Sequence, residues 1–539
     1  MQLTQKTQSD QLATLGSATR FTADTDDIET RSSIVQSILE TGTSGIIVTI
    51  ECHLSNSLPN IVIVGYANKA VDEARERLRG AFSQSKLQMP RKRITINLAP
   101  ADVPKASSSF DLGIAAAILQ AGDLQGPGLT VTDAVIGELG LGGDVRPVRG
   151  IVGKLLAGRA RGITTFFIPH RNLEQAMLVP RVHLIPVKHL QELYLHMNEL
   201  APLTKIDTQD GQLPVVATSP SYSQLTIDDV IGQLPAKRVL EIAAAGGHNV
   251  LLNGPPGTGK SMLAKALASI LPPMSREEIL EVTHLHSLAG KEYGKIISQR
   301  PFRSPHHSAS PVAIIGGGSS LRPGEISLSH RGVLFFDELP EFPRSSIEAL
   351  RQPLEDGIIA VARAKDSAEY PADFIFVATS NPCPCGYYGT SRACQCAAAA
   401  IQRYRHKLSG PILDRIDLYT EVAEVDHAHL LSTPSHNSAT QIKRRISSAR
   451  AIQAKRYGSA SNLNAGMNNA SIRRHALLEP AAKSLLDSAG SRLELSARSY
   501  MRAIKVARTI ADLDGCSTIQ IAHLSEALQY RSHAFSVTL

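Results

Sequence analysis

Residues 248–271 read HNVLLNGPPGTGKSMLAKALASIL, and no other stretch constrains the fold so tightly. A short apolar run meets a glycine-rich octapeptide, which meets a segment of helically spaced apolar residues. The text therefore predicts strand, loop and helix in succession. Gly254, Gly257 and Gly259 let the backbone curl until its N–H groups converge, and converging N–H groups make an anion site. The helix that follows turns its positive end toward the same point. Lys260 has the length to reach outer phosphates, and the Ser261 hydroxyl suits a magnesium ion. The run Gly254, Pro255, Pro256, Gly257, Thr258, Gly259, Lys260, Ser261, Met262 is therefore predicted to cradle ATP with Mg2+. A strand feeding such a loop belongs to an α/β layered fold.

A phosphate cradle of this kind works with a carboxylate on a neighbouring strand. GVLFFDELPEF (332–342) supplies one, because the apolar run Val333–Phe336 ends in Asp337 and Glu338. Asp337 is predicted to sit in the Mg2+ shell and Glu338 to polarise the attacking water. A third apolar run, DFIFVATSN (373–381), ends in Asn381, which either contacts the γ-phosphate or lytic water or forms a turn. Two Cys-x-Cys pairs follow at once: Cys383 with Cys385, and Cys394 with Cys396. They offer enough thiolates for one tetrahedral structural Zn2+, or they are four reduced thiols.

These motifs sit in a chain of 539 residues, 43% hydrophobic, long enough for several domains. Polar residues 1–31 read as a tail. Residues 32–195 alternate strands (45–55, 60–66, 91–100, 164–170, 181–187) with helices (68–82, 110–119) and form a first α/β domain. Residues 196–222 hold Pro, Ser and Thr without periodicity and read as a linker. The phosphate motifs fill a second α/β domain, 223–424. Residues 425–539 read as helical, with one polar break at 457–471. No apolar run approaches the ~20 residues of a membrane span, the first residues lack a secretory pattern, and six cysteines make no disulfide framework. A cytoplasmic protein is expected, with no membrane partner.

GPPGTGKSMLAKAL, RPFRSPHH, GEISLSHRGVLFFDELPEF, SNPCPCGYYG, LSGPILDRIDL and SARSYMRAIKVARTIADL occur in that order. Together they resemble the AAA+ ATPases, specifically the magnesium-chelatase-like branch and its ComM/YifB family. The resemblance implies a hexameric ring with ATP at subunit interfaces. It makes Arg415 the arginine finger, with an intrachain pair to Asp414 or Asp417 as the alternative. It makes Arg498, and more weakly Arg502, a sensor that contacts nucleotide in cis from a C-terminal helical lid. Val230 and Ile231 would line an adenine pocket. Two inserts are implied, one after the P-loop helix (286–327, the helix-2 insert) and a hairpin (357–374). Lys291, Lys295, Arg300, Arg303, Arg363 and Lys365 in them would touch a DNA backbone or remain solvated. Residues 137–169 resemble the second half of a Lon-protease-like domain. The lysine of that family's dyad matches Lys154, but the serine position falls on Asp111, which cannot serve as the peptide-cleaving nucleophile. A catalytically dead scaffold follows, with a Lys154–Asp111 ion pair expected.

The function implied is an ATP-driven motor on branched or single-stranded DNA, acting with recombination proteins in heteroduplex extension and natural transformation. A magnesium-chelatase motor subunit and a MoxR-like protein-remodelling ring are the alternatives. The charge fits a polyanion: the chain carries +7 overall, and between 441 and 508 fourteen Lys/Arg meet three acids. That segment is therefore +11 and the remainder −4. Lys443, Arg444 and Arg445 are its densest cluster; a second basic run, Lys86 to Arg93, is either a nucleic-acid contact or a solvated strand entrance.

Overall fold

Period-two alternation builds the first sheet. In Ser44–Ser55 the buried Val48, Ile50, Cys52 and Leu54 alternate with more exposed Thr49, Glu51 and His53. The computed structural model describes residues 31–531 apart from 42–43, 66–68, 102, 104–106, 123, 210–224, 291–294, 319–320, 363–366, 391, 409 and 425–437. Strands of the two sheets are β1 (Arg31–Thr41), β2 (Ser44–Ser55), β3 (Asn60–Val64), β4 (Arg93–Ala99), β5 (Asp133–Val135), β6 (Thr165–Pro169), β7 (His183–Val187), β8 (Ile206–Asp207), β9 (Val250–Asn253), β10 (Phe302–Arg303), β11 (Val333–Phe336), β12 (Ile375–Ser380) and β13 (Leu418–Glu421). The first sheet has eight strands in the order β8-β7-β6-β5-β1-β2-β4-β3.

Strand β1 escaped the sequence reading because serines interrupt its apolar pattern. Ser33 and Ser37 are nevertheless buried, since their hydroxyls donate to the Ala117 and Val135 carbonyls at 2.7 Å each. The reading of 196–222 as a linker is corrected in part. Ile206 pairs with Leu184 and Asp207 with His183, so β8 closes the edge of the first sheet. The rest of that stretch, from 210, lies outside the described residues, as do residues 1–30.

The second sheet is five-stranded and wholly parallel, in the order β10-β11-β12-β9-β13. Its strands are apolar on both faces, as a doubly covered parallel sheet requires. Val250, Leu252, Val333 and Phe335 face one core, with the C-terminal helices. Leu251, Leu334, Phe336 and Phe376 face another, with the insert segments. The chain leaves β9, runs to the far edge at β10, returns through β11 and β12, then crosses to β13. The reversal falls between β9 and β12, where open α/β sheets form their ligand crevice.

The two units meet along the helix Arg276–Ala289, which a Ser275/Glu278 capping box starts. Ser287 Oγ accepts the Gly150 N–H at 2.8 Å. His284 lies so close to Gly153 that a Cβ there would stand 2.3 Å from its ring. Burial, then Lys154, push His284 down to about 4, which keeps it neutral in that apolar seam.

Residues 438–531 are helical: Ser438–Tyr457, Asn469–His475, Pro480–Arg492, Ala497–Leu513 and Ile521–Gln529. The polar break is anchored by one buried side chain. Asn464 is fully buried, donating to Thr509 Oγ1 at 3.0 Å and Asp512 Oδ2 at 2.8 Å while its N–H reaches Gln453. Among the described residues no helix is long and apolar enough to cross a membrane.

Candidate functional site

The C-terminal ends of β9, β11 and β12 bring the three predicted motifs together. Gly257 and Gly259 take left-handed φ values of 82° and 86°, and a Cβ on either would meet nothing within 4 Å. The loop is thus an open cradle over the N-terminus of the helix Lys260–Ile270. Its donor set fits a triphosphate. Lys260 Nζ donates to the Gly254 and Pro255 carbonyls at 2.7 Å each and to Asn381 Oδ1 at 3.1 Å. Burial lowers the Lys260 ammonium from its ordinary value, and Asp337 and Glu338 oppose that shift. Asn381 is therefore brought to the phosphate-binding lysine.

Ser261 Oγ donates to Asp337 Oδ2 at 2.9 Å, which joins the two residues predicted to share a magnesium ion. The sequence reading missed the residue that fastens them. Thr379, fully buried, donates to Asp337 Oδ1 at 2.7 Å and accepts the Glu338 N–H at 2.8 Å. Glu338 stands exposed with φ 55°, a left-handed conformation costly for a side chain of this kind and concentrated at functional sites. The signal for Thr379 was the polar tail of β12, Thr-Ser-Asn, of which only the last member was used.

Beyond Asn381 the four cysteines converge. Their Sγ atoms all lie within 4.8 Å of one another, with Cys383–Cys385 at 3.4 Å, Cys383–Cys394 at 3.7 Å and Cys385–Cys394 at 3.6 Å. A tetrahedron of thiolates about 2.3 Å from a zinc ion has edges of about 3.8 Å, so the donors fit Zn2+. The knuckle touches the P-loop, since a Cβ on Gly386 would stand 2.5 Å from Pro256 Cδ. A cavity of about 450 Å3 opens between them, walled by Gly254, Pro255, Asn381, Tyr388 and Arg405. Arg405 lies over the Tyr388 ring at 5.3 Å. Nothing in its sequence context singled it out.

The two arginines lie elsewhere. Arg415 and Arg498 both bind Glu355, Arg415 through Nη2 to Oε2 and Arg498 through Nη2 to Oε1 at 2.6 Å. Neither Asp414 nor Asp417 is the partner of Arg415. The Arg415 carbonyl accepts from Asn249 Nδ2 at 3.0 Å, and Arg502 binds Asp417 at 2.8 Å. Asn249 and Asp417 precede β9 and β13, so this cluster occupies the N-terminal edge of the sheet. The P-loop is at the C-terminal edge, about 13 Å away along a four-residue strand. The expectation that Arg498 contacts nucleotide in cis is therefore corrected. The lid helix is fastened to the far edge by Arg502–Asp417 and by His248 Nε2 with Thr509 Oγ1 at 2.8 Å.

Other basic residues are consumed in packing. Arg300 binds Glu278 and the Pro272 and Arg331 carbonyls, and Arg303 forks onto Glu325 at 2.5 Å. Both are thus paired within this chain. Lys295 is exposed, and Lys291, Arg363 and Lys365 lie outside the described residues. Of the fourteen C-terminal cations, Arg445, Arg450, Arg456, Arg498, Arg502, Lys505 and Arg508 bind acids or carbonyls of this chain. Lys443, Arg444, Lys455, Arg473, Arg474, Lys483 and Arg492 are exposed. Val230 is buried and Ile231 half-buried beside Gln233, whose amide donates to the Ala423 carbonyl at 2.6 Å. In the first unit the expected Lys154–Asp111 pair is absent. Lys154 lies 3.8 Å from Glu40, and Asp111 binds Arg77 at 2.6 Å, because buried charges on opposite elements each took the nearest counter-ion.

The family described as magnesium chelatase, subunit ChlI, matches residues 226–430; its companion descriptions match 50–172 and, for the C-terminal part, 436–531. Competence protein ComM of Haemophilus influenzae is 41% identical over 93% of this chain and 97% of its own length. The uncharacterized protein YifB of Escherichia coli is 41% identical with the same coverage. The magnesium-chelatase 67 kDa subunit of Chlorobaculum parvum is 28% identical over 29% of this chain and 23% of its own. With the glycine-rich loop, Asp337, Glu338 and Asn381 on one edge of a parallel sheet, and with this similarity running nearly end to end, the chain belongs to the ComM/YifB group of the magnesium-chelatase-like AAA+ family.

Proposed function

We propose that the protein is an ATP hydrolase working as a hexameric ring that drives branched or single-stranded DNA. In this reading it extends heteroduplex during homologous recombination, including natural transformation, beside other recombination proteins in the cytoplasm. One observation carries the ring: the phosphate-side groups and the arginine pair lie on opposite edges of one sheet. In this reading a neighbour's far edge brings its arginine pair to the γ-phosphate that this copy's Lys260 binds. Arg415 is the finger, and Arg498 beside it acts on the same neighbouring site.

Bound ATP and Mg2+ supply the scissile phosphoanhydride and its counter-ion. Lys260 and the P-loop N–H groups bind the outer phosphates, and Ser261 and Asp337 hold the ion. Glu338 takes the proton of the attacking water, and Asn381 orients it. Cys383, Cys385, Cys394 and Cys396 would hold a structural zinc, which would brace the loop carrying Asn381. The first unit is a Lon-protease-like scaffold without peptidase activity. Its buried Lys154 donates to the Ile38 carbonyl and faces Glu40, which supports that reading.

The DNA substrate rests on similarity to a competence protein over 93% of the chain, and on the seven exposed C-terminal cations. The Chlorobaculum parvum chelatase subunit aligns over 164 residues, against 504 for the competence protein, which favours the DNA motor over a porphyrin-metallating partner. The test is ATP turnover with and without forked DNA, together with migration of a labelled four-way junction. Stimulation and migration are expected, both abolished by Lys260→Ala. A junction left in place, with turnover indifferent to DNA, overturns the substrate assignment.

A further inference from the structure

Glu355 belongs to none of the motifs, yet it is where the two arginines meet. It lies in the short helix Pro353–Asp356, 60 residues before Arg415 and 143 before Arg498. We infer that Glu355 is a positioning residue for ATP hydrolysis: one carboxylate that sets Arg415 and Arg498 side by side as a single cationic unit for the phosphates of a neighbouring copy. This rests on the ring reading above.

The geometry divides the carboxylate between them. Oε2 takes Arg415 and Oε1 takes Arg498, so each guanidinium is oriented by one oxygen and keeps other N–H donors. Two positive charges against one negative leave a net +1, directed outward where Arg498 and Glu355 are each 45% exposed. Arg415 is more enclosed at 10%, its Nη1 donates to the Pro411 carbonyl at 2.7 Å, and its buried Nε has no partner among the described residues. An ordinary surface ion pair joins two side chains that gain little by it. Here the acid joins the finger segment to the first turn of the lid helix. Without it, two like charges on separate elements repel, and each long side chain regains its rotamers. The pair would then reach a neighbour's phosphates independently, and positional precision is what an electrostatic contact to a transferring phosphoryl group requires.

The test is steady-state ATP turnover by the full-length assembled protein carrying Glu355→Gln. We expect kcat to fall by about 10- to 100-fold while KM for ATP and ring assembly stay within about twofold, since the cradle itself is untouched. Glu355→Asp, which keeps the charge with a shorter reach, should recover part of the rate. Glu355→Gln combined with Arg415→Ala should be no slower than Arg415→Ala alone. Mixing separates this proposal from the ring reading. Subunits carrying Arg415→Ala mixed with Lys260→Ala subunits should regain turnover, because one interface then holds an intact cradle and an intact arginine pair. Glu355→Gln subunits mixed with Lys260→Ala subunits should regain it likewise. Rescue in the first mixture but not the second overturns the role of Glu355 and leaves the ring standing, whereas no rescue in either overturns the ring. An unchanged kcat, or losses that multiply in the double variant, also refute the positioning role.

Discussion

Replacing Thr379 by valine tests whether the catalytic acids work because β12 holds them. The substitution keeps the shape of a fully buried side chain and removes one hydroxyl. Two hydrogen bonds go with it: the 2.7 Å bond to the Asp337 carboxylate and the 2.8 Å bond from the Glu338 N–H. The first is charge-assisted and is worth about 1.5–3 kcal/mol, the second about 0.5–1.5 kcal/mol. Glu338 also sits at φ 55°, a conformation that costs of order 1–3 kcal/mol and persists only while its surroundings impose it. With the N–H released, the backbone relaxes toward an unstrained well and the carboxylate leaves its place. If about 1.4–2.7 kcal/mol of that loss reaches the transition state, kcat falls about 10- to 100-fold. The P-loop contacts of Lys260 do not involve Thr379, so KM for ATP should stay within about threefold. The assay is phosphate release at saturating DNA, with ATP affinity measured separately by a fluorescent analogue. A Thr379→Val protein that folds and turns over within twofold of the parent refutes the reasoning, because the acids would then be held by something else.

Removing metal from the cysteine cluster with a strong chelator should release about one zinc per chain, read by a colorimetric dye, and lower kcat more than ATP affinity; absence of released metal sinks the zinc assignment. At Asp417 burial alone would raise the carboxyl, but Arg502, His248 and Arg531 together hold it well below its usual range. A depressed carboxyl stabilises the fold above its ordinary pKa of 3.8, and that stability is lost as pH falls from there toward the folded value. Asp417→Asn should therefore flatten the acid limb of a stability-against-pH curve and lower the thermal midpoint at neutral pH, and an unaltered acid limb counts against it. Replacing Lys443 and Arg444 by glutamine should weaken DNA binding and reduce the slope of affinity against salt by about two if both touch phosphate. Arg445 is best left alone there, since it binds Glu241 at 2.6 Å and its loss mixes stability with binding.

What was legible in the sequence was whatever the backbone writes locally. Gly257 and Gly259 announce a phosphate loop because no other residue takes their left-handed turn so cheaply, whereas Gly254 is needed for a different reason, since a Cβ there would stand 2.3 Å from the Val422 carbonyl oxygen. The runs before Asp337 and Asn381 announce buried parallel strands, and both residues fall at the strand ends where they were placed. What was not legible depends on contacts across long stretches of chain. Ser33 and Ser37 hid β1 because their partners, the Ala117 and Val135 carbonyls, are 84 and 98 residues away. Which of the basic C-terminal residues are tied up within the chain was hidden for the same reason. Asp512 takes both Arg456 and Arg508, and only the folded helix bundle brings those three together. Arg498 looked like a cis sensor because its motif specifies a helix, whereas the edge of the sheet that the helix meets is decided by His248, Asp417 and Thr509.

Asn249 shows how the two edges of that sheet can be mechanically one. It precedes β9, the strand that ends in the P-loop, and every polar group it has is engaged. Its N–H donates to Asp417 Oδ2 at 3.3 Å, and its carbonyl accepts from Asp417 and Leu418. Its side-chain Oδ1 accepts the Phe376 N–H at 2.9 Å, and its Nδ2 donates to the Arg415 carbonyl at 3.0 Å. One residue thus ties the start of β9 to β12, to β13 and to the backbone of Arg415. A strand hydrogen-bonded on both sides through four consecutive pairs is stiff along its length. In a ring, a neighbour's phosphates pull on Arg415 and Arg498, and that pull meets Asn249 at one end of the strand whose other end holds this copy's own cradle. Coupling free energies are reciprocal, so in the proposed ring nucleotide in this cradle would bias the arginine pair offered to the neighbour by the same amount.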